Sequence, residues 1–174
     1  MTTTERNLLL MTGIPGTGKT SYGNAFAQEF GFVHVDLETT AALSELAADP
    51  SGFIEGLIAS DRQTVVTWGF LPNEAQTAIV NLFRAKGFQL IWLDGNRGAA
   101  LRAFQHRNTV PEELFYLQMY RIEQSKVIDQ IKPVIINPFH KSGFKSPRRL
   151  LKEILRQPNK THSLPVAEIG KLFP

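Results

Sequence analysis

Leu8-Leu9-Leu10-Met11-Thr12-Gly13-Ile14-Pro15-Gly16-Thr17-Gly18-Lys19-Thr20-Ser21 is the stretch whose reading decides the fold. It opens as an apolar run with strand character and ends in Gly13-x4-Gly18-Lys19-Thr20, the spacing of a loop that cradles phosphate. Phosphate oxygens must be met by backbone N–H groups at close range, and Gly13, Gly16 and Gly18 put no Cβ in the way. The loop feeds a helix start, where unpaired N–H groups and the helix dipole favour an anion. Ile14, Pro15, Thr17 and Ser21 complete the phosphate-facing segment. Lys19 is expected to reach the β and γ phosphates and the Thr20 hydroxyl to ligate Mg²⁺. A nucleoside triphosphate, ATP first among them, is the ligand this segment calls for. The plain alternative is a glycine-rich turn with an exposed lysine.

Working outward, short apolar runs alternate with helix-period segments, the pattern of a parallel sheet covered on both faces. Five strands are expected, at Asn7 to Thr12, Phe32 to Val35, Gln63 to Trp68, Phe88 to Leu93 and Pro133 to Asn137. Tyr22, Ala25, Phe26 and Phe30 repeat at helical spacing up to Gly31, which is suited to end a helix in the left-handed conformation. Ala75, Ala78, Ile79, Leu82 and Phe83 form a second core-facing helix that stops at Gly87. Glu38 to Ser60 reads as two short helices broken at Asp49-Pro50-Ser51-Gly52. Thr109 and Glu112 have the spacing of a capping box opening a helix that runs to about Ile131, and Ser146-Pro147 opens the last helix. The fold class that follows is a three-layer α/β/α domain over residues 1–157, with a polar tail over residues 158–174 lying on the surface or partly disordered.

Composition narrows the function classes. The chain has 174 residues, 43% of them hydrophobic and 20% charged, which is the balance of an ordinary globular domain. No apolar run approaches transmembrane length and the first residues lack the pattern of a signal peptide, so the cytoplasm is the expected compartment and no membrane partner is expected. The absence of cysteine rules out disulfides, thiolate metal sites and a Cys nucleophile. The four histidines, His34, His106, His140 and His162, show no metal-ligand spacing. Lys141, Lys145, Arg148, Arg149, Lys152, Arg156 and Lys160 make a late basic run that is either the solvated face of the final helix or a nucleic-acid patch, the blander reading being preferred.

With the phosphate loop, the acidic pair Asp36 and Glu38 after the second strand, and Arg97, Arg102 and Arg107 after the fourth, the sequence resembles the small-molecule and nucleotide kinases of the phosphate-loop class, such as the shikimate, gluconate and adenylate kinases. The resemblance covers most of the chain and is specific at the loop. It implies a five-stranded parallel sheet in the order 2-3-1-4-5 and transfer of the γ phosphate of ATP, with Mg²⁺, to a hydroxyl or phosphate of a small molecule. By the same resemblance Asp36 holds Mg²⁺ or takes the acceptor proton, Glu38 binds the acceptor, and Arg107, with Arg102 second, acts from a lid over residues 97–125. Glu38 departs from the family's second aspartate, and both acids have a helix cap as their alternative. Val110 to Leu114 with Gln118 and Glu123 is similar to the gluconate kinase lid, and Arg121 there is expected to point toward nucleotide or acceptor. Asn137 and Phe139 fall where relatives bind adenine, with Phe139 either stacking on the base or simply buried. Trp68 and Phe70 are expected to form an aromatic wall of the acceptor pocket, although aromatics there are more often core.

Other classes stay open. Shikimate itself is disfavoured, since no arginine lies between Glu38 and Ser60. The Asn-Lys-x-Asp base reader of a GTPase is missing, because Asn159-Lys-Thr-His162 lacks the acid. Leu90 to Asp94 resembles an apolar strand closed by an acid, which keeps an ATPase or a nucleotide-dependent switch alive, although Gly95 and Asn96 favour a turn role for Asp94. The late basic run keeps a nucleic-acid end kinase as a further alternative. Neither the acceptor nor the oligomeric state is written in these residues.

Overall fold

In the computed structural model, residues 6–141 and 143–158 are described. Five parallel strands, β1 (Leu8–Gly13), β2 (Val33–Asp36), β3 (Thr64–Thr67), β4 (Gln89–Leu93) and β5 (Val134–Ile136), form one sheet in the order β2-β3-β1-β4-β5. This is the order the family resemblance implies, and every strand lies within a residue or two of its expected bounds. Register is fixed by pairs such as Leu10 with Val66 on one side and with Leu90 on the other.

Both faces of the sheet are buried, which is why its strands read as continuous apolar runs rather than alternating ones. On one face Leu10, Val66, Leu90 and Trp92 pack with Ile54, Val80 and Phe83. On the other, Leu9, Met11, Val65 and Ile91 pack with Tyr22, Phe26, Leu150 and Ile154. The first face is covered by α2 (Thr40–Ala48), α3 (Pro50–Ala59) and α4 (Glu74–Ala85), and the second by α1 (Lys19–Phe30) and α8 (Pro147–Leu155). Local chemistry sets the ends. Gly31 closes α1 at φ 73°, Asp49 caps α3 through Gly52 N–H at 2.9 Å, and Asn73 caps α4 through Gln76 N–H at 2.8 Å.

Two expectations need correction. The residue pair Thr109 and Glu112 does not open a helix: α6 spans Glu113–Ser125, with no side-chain cap. Pro111 explains this, because the residue before a proline is driven out of the helical region and Val110 would have to be helical. Nor does that helix run on to Ile131. Lys126 turns left-handed at φ 52° and starts the short α7 (Val127–Ile131), which buries Val127 and Ile131 in the core. In addition, the segment after β5 forms a small antiparallel ribbon, β6 (Phe139–His140) with β7 (Gly143–Phe144), that sequence patterning did not show.

The described part of the late basic run is largely the outer face of α8, whose inner face carries Leu150, Leu151 and Ile154. Lys145 and Arg149 there meet Glu153, at 2.7 and 3.4 Å. Lys160, His162 and the polar tail from residue 159 onward lie outside the described residues. Among the described residues no helix is long and apolar enough to cross a membrane.

Candidate active site

Parallel strands deliver their carboxyl ends, and the loops after them, to one edge of the sheet. At that edge β1 runs into the glycine loop. Ile14 N–H donates to the Leu93 carbonyl at 3.1 Å, pinning the loop to β4. Thr17, wholly buried, donates its hydroxyl to the Ile14 carbonyl at 2.8 Å. The glycines matter first for packing. A Cβ on Gly13 would stand 2.3 Å from the Leu93 carbonyl oxygen, and one on Gly16 would stand 2.0 Å from that of Ala100. Their absence therefore lets the loop sit against β4 and α5 (Arg97–His106), as well as leaving backbone N–H groups clear.

Lys19 is buried rather than exposed. It is 9% exposed and donates to the Ile14 carbonyl at 3.2 Å. Burial lowers its pKa to about 8, with Glu38 and Asp36 opposing the shift and Arg107 adding to it.

Asp36, the last residue of β2, accepts a hydrogen bond from the Thr20 hydroxyl at 3.0 Å through one carboxylate oxygen. Its other oxygen accepts from Glu38 N–H at 2.9 Å. The N-cap of α2 is Thr39, so neither acid serves as that cap. Next to Asp36 on the sheet, Thr67 shares a hydrogen bond with His34 at 2.8 Å, and His34 reaches Asn24 of α1 at 2.9 Å. These contacts hold β2, β3 and α1 together just beneath the carboxylate.

A cleft of about 270 Å³ opens beside the loop, within reach of Lys19, Glu38, Arg107, Gln118 and Arg121, with Gly69 to Pro72 on its wall. Its size lies just under the usual range of small-molecule sites. Trp68 is not on this wall: it is 3% exposed and packs beneath Phe70 with ring centroids 5.5 Å apart, leaving Phe70 to face the cleft together with Phe104. A second groove, on the other side of the loop, is lined by Ser21, Arg102, His106, Arg107 and Phe144. Arg107 alone among the cationic residues lines both. Phe139 also borders the second groove but is 4% exposed, stacked under Phe144 at 4.9 Å between ring centroids. Phe144, 47% exposed, is the accessible ring there, and it had no signal in the sequence because the β6–β7 ribbon that lifts it was not visible. The Asn137 carboxamide accepts from Phe139 N–H at 2.9 Å, so this side chain shapes the loop. Asp94 accepts from Gly95 N–H at 2.7 Å, which gives it the turn role. Arg97 pairs with Glu123 on the surface and so does not face the cleft.

The oxygen-only donor set of Thr20 and Asp36 suits Mg²⁺, which binds through one or two protein oxygens and completes its shell with water and phosphate. No cluster of three or more His, Cys, Asp or Glu side chains able to hold a metal occurs among the described residues. The sequence matches no protein-family model and no curated protein. By structure the chain is similar to a gluconokinase from Sinorhizobium meliloti, with a TM-score of 0.53 and 17% identity over 86% of this chain and 89% of that one. It is likewise similar to a shikimate kinase from Acinetobacter baumannii solved with shikimate, with a TM-score of 0.57, 14% identity and coverage of 87% and 92%. A shikimate kinase from Bacteroides thetaiotaomicron gives a TM-score of 0.51 at 18% identity, with coverage of 86% and 95%.

Proposed function

The chain has the phosphate-loop kinase fold, and we propose that it is a kinase, moving the γ phosphate of ATP to a small-molecule acceptor. The observation that supports this most directly is the position of Arg107, shared between the groove beside Ser21 and the cleft that holds Glu38. A phosphoryl group in transit has to pass through that junction. There Lys19 and Arg107 supply positive charge on the equatorial oxygens, and the loop N–H groups fix the donor in line. Thr20 and Asp36 would hold Mg²⁺, which offsets charge on the β and γ phosphates when bound. Glu38, which lines the acceptor cleft as Asp36 does not, orients the acceptor hydroxyl and accepts its proton. Arg102 and Phe144 flank the groove left for the base, a place for stacking on adenine.

The test is ADP release by the purified protein with Mg²⁺ and ATP, alone and across panels of small-molecule alcohols, nucleotides and oligonucleotide ends. Release that depends on a small molecule supports the kinase. Release at one rate whatever is added makes the protein an ATPase, and release that follows oligonucleotide ends makes it a nucleic-acid kinase. Asp36→Asn should lower kcat at least tenfold and raise the Mg²⁺ concentration for half-maximal rate, with ATP affinity changed less than threefold. Unchanged magnesium dependence would return Asp36 to a structural role.

Lys19 gives a pH signature. In the free protein its folded pKa of about 8 lies below the unfolded value of 10.5, so the charged form is disfavoured by folding and the penalty, roughly 3 kcal/mol, is full below pH 8. Stability from this group therefore rises as pH climbs from about 8 toward 10.5. Nucleotide binding has the opposite sign, because the phosphates need the ammonium. Above pH 8, ATP affinity should fall by up to tenfold per pH unit, with proton uptake on binding seen as a buffer-dependent calorimetric enthalpy. Affinity that is flat from pH 7 to pH 9 would show that Lys19 does not titrate against the ligand.

A further inference from the structure

Exposed apolar side chains are unevenly spread over the molecule. Among the described residues ten large ones are exposed, and six of these, Leu71, Val110, Leu114, Tyr116, Leu117 and Tyr120, lie on α6 or in segments beside it. Tyr116 and Tyr120 are each more than half exposed. The helix already spends one apolar stripe on the core, through Phe115 and Met119, so these residues form a second stripe on its outer side. A helix that is apolar inside and outside is one that is covered on both sides, and tyrosine and leucine concentrated in one outward patch mark a protein interface.

The order of residues along that stripe says what covers it. With 3.6 residues to a turn, Glu113, Leu114, Leu117, Tyr120, Arg121 and Gln124 all fall within about 60° of the direction of Leu117. Leu117 is also their midpoint along the axis, with Leu114 and Tyr120 one turn to either side and Glu113 and Arg121 just beyond. Neither of those two charges has an opposite charge within its own helix. The positions three and four residues from Glu113 are Thr109, Val110, Tyr116 and Leu117, and those from Arg121 are Leu117, Gln118, Gln124 and Ser125. Nor does either make an ion pair elsewhere among the described residues.

We propose that the outer face of α6 is the interface of a two-fold homodimer, in which the helices of two copies of this chain pack antiparallel across Leu117. A two-fold contact must be self-complementary, because the same patch meets itself reversed. This stripe meets that demand. Reversal about Leu117 sets Leu117 against its own copy, each Leu114 level with Tyr120 of the second copy, and each Glu113 level with Arg121 of the second copy. Two helices packed in the same direction would set acid against acid and base against base. A polyanion finds a single base beside an acid here, so nucleic acid is no match for the stripe. The proposal concerns the outside of the helix and stands independently of the phosphotransfer reading.

The test is sedimentation of the full-length protein between about 1 and 200 µM, where an interface of this modest size should dissociate reversibly. A monomer–dimer equilibrium is expected. Leu117→Asp, at an exposed position, should raise the dissociation constant at least a hundredfold with the circular dichroism spectrum unchanged. Glu113→Arg and Arg121→Glu should each raise it at least tenfold, since each sets like charges together at both ends of the contact. An equimolar mixture of these two single variants should return to within threefold of the wild type, because in the mixed dimer both charge pairs are again opposite. The double variant carrying both swaps should also recover, although it places charge against the helix dipole, so its recovery cannot come from a better helix. A monomer at every concentration overturns the inference. So does a dimer that Leu117→Asp leaves intact, or a pair of charge variants that associate as the wild type does or that mixing does not rescue.

Discussion

Lys19→Met should lower kcat/KM about 10³-fold, roughly 4 kcal/mol of transition-state stabilisation, and leave the melting temperature unchanged or higher. The first half follows from the place of the ammonium. It lies at the glycine loop, between the carboxylates and Arg107, where charge shifts from the γ phosphate to the β–γ bridging oxygen during transfer. The second half follows from its burial. An ammonium that is 9% exposed, with its pKa drawn down to about 8, is one that folding disfavours in its charged form. A methionine removes that penalty and keeps most of the buried stem. The Ile14 carbonyl is not orphaned, since the Thr17 hydroxyl still bonds to it at 2.8 Å. Turnover within tenfold of wild type would sink the phosphotransfer mechanism. A large drop in melting temperature would instead show that Lys19 is a structural strut.

Gly16→Ala is expected to lower stability by roughly 2–5 kcal/mol, combining left-handed backbone strain with steric overlap, and to take nucleotide binding with it. Gly16 has φ 77°, and a Cβ there would meet the Ala100 carbonyl oxygen at 2.0 Å and Phe104 Cβ at 3.2 Å. Neither neighbour is a flexible side-chain end, so the loop or α5 has to move, and α5 carries Arg102 and leads into Arg107. Thermal melting should fall by about 5–15 °C on the scale usual for domains of this size, and calorimetry should show ATP affinity down at least a hundredfold. Gly87→Ala makes the control, since Gly87 has a positive φ of 97° but nothing within 4 Å of its added Cβ. It should cost only the backbone term, about 1–2 kcal/mol. Equal melting for the two variants would mean that the contact with α5 is not what makes Gly16 necessary.

What was legible depended on whether a feature was local. The phosphate loop is contiguous, so its residues announce themselves, and strands buried on both faces reveal themselves as apolar runs. Gly31 and Gly87 ended helices because a backbone that must turn left-handed has a strong residue preference. The failures have more than one cause. Thr109 with Glu112 met the local rule for a helix start, but Pro111 overrode it, and the split at Lys126 came from the need to bury Val127 and Ile131. Trp68 and Phe139 both took the buried alternative left open for them, each packed under a more accessible ring. The partner that faces the cleft or groove, Phe70 or Phe144, is picked by how a loop leaves the sheet and by an unforeseen ribbon. The spacing of Leu114, Gln118 and Arg121 along α6 was the one available signal for the far wall of the cleft.

The sequence by itself determined that this chain folds as a phosphate-loop α/β domain, because that fold rests on short-range backbone demands that only a few residue types meet. The tertiary structure alone decided that Lys19 is buried, that Glu38 rather than Asp36 lines the cleft beside the loop, and that Arg107 and Arg121 share that cleft while each lines a different second groove. The physical reason is that burial, charge coupling and the direction of a side chain arise from segments distant in sequence that meet only when the sheet and its helices have closed around them.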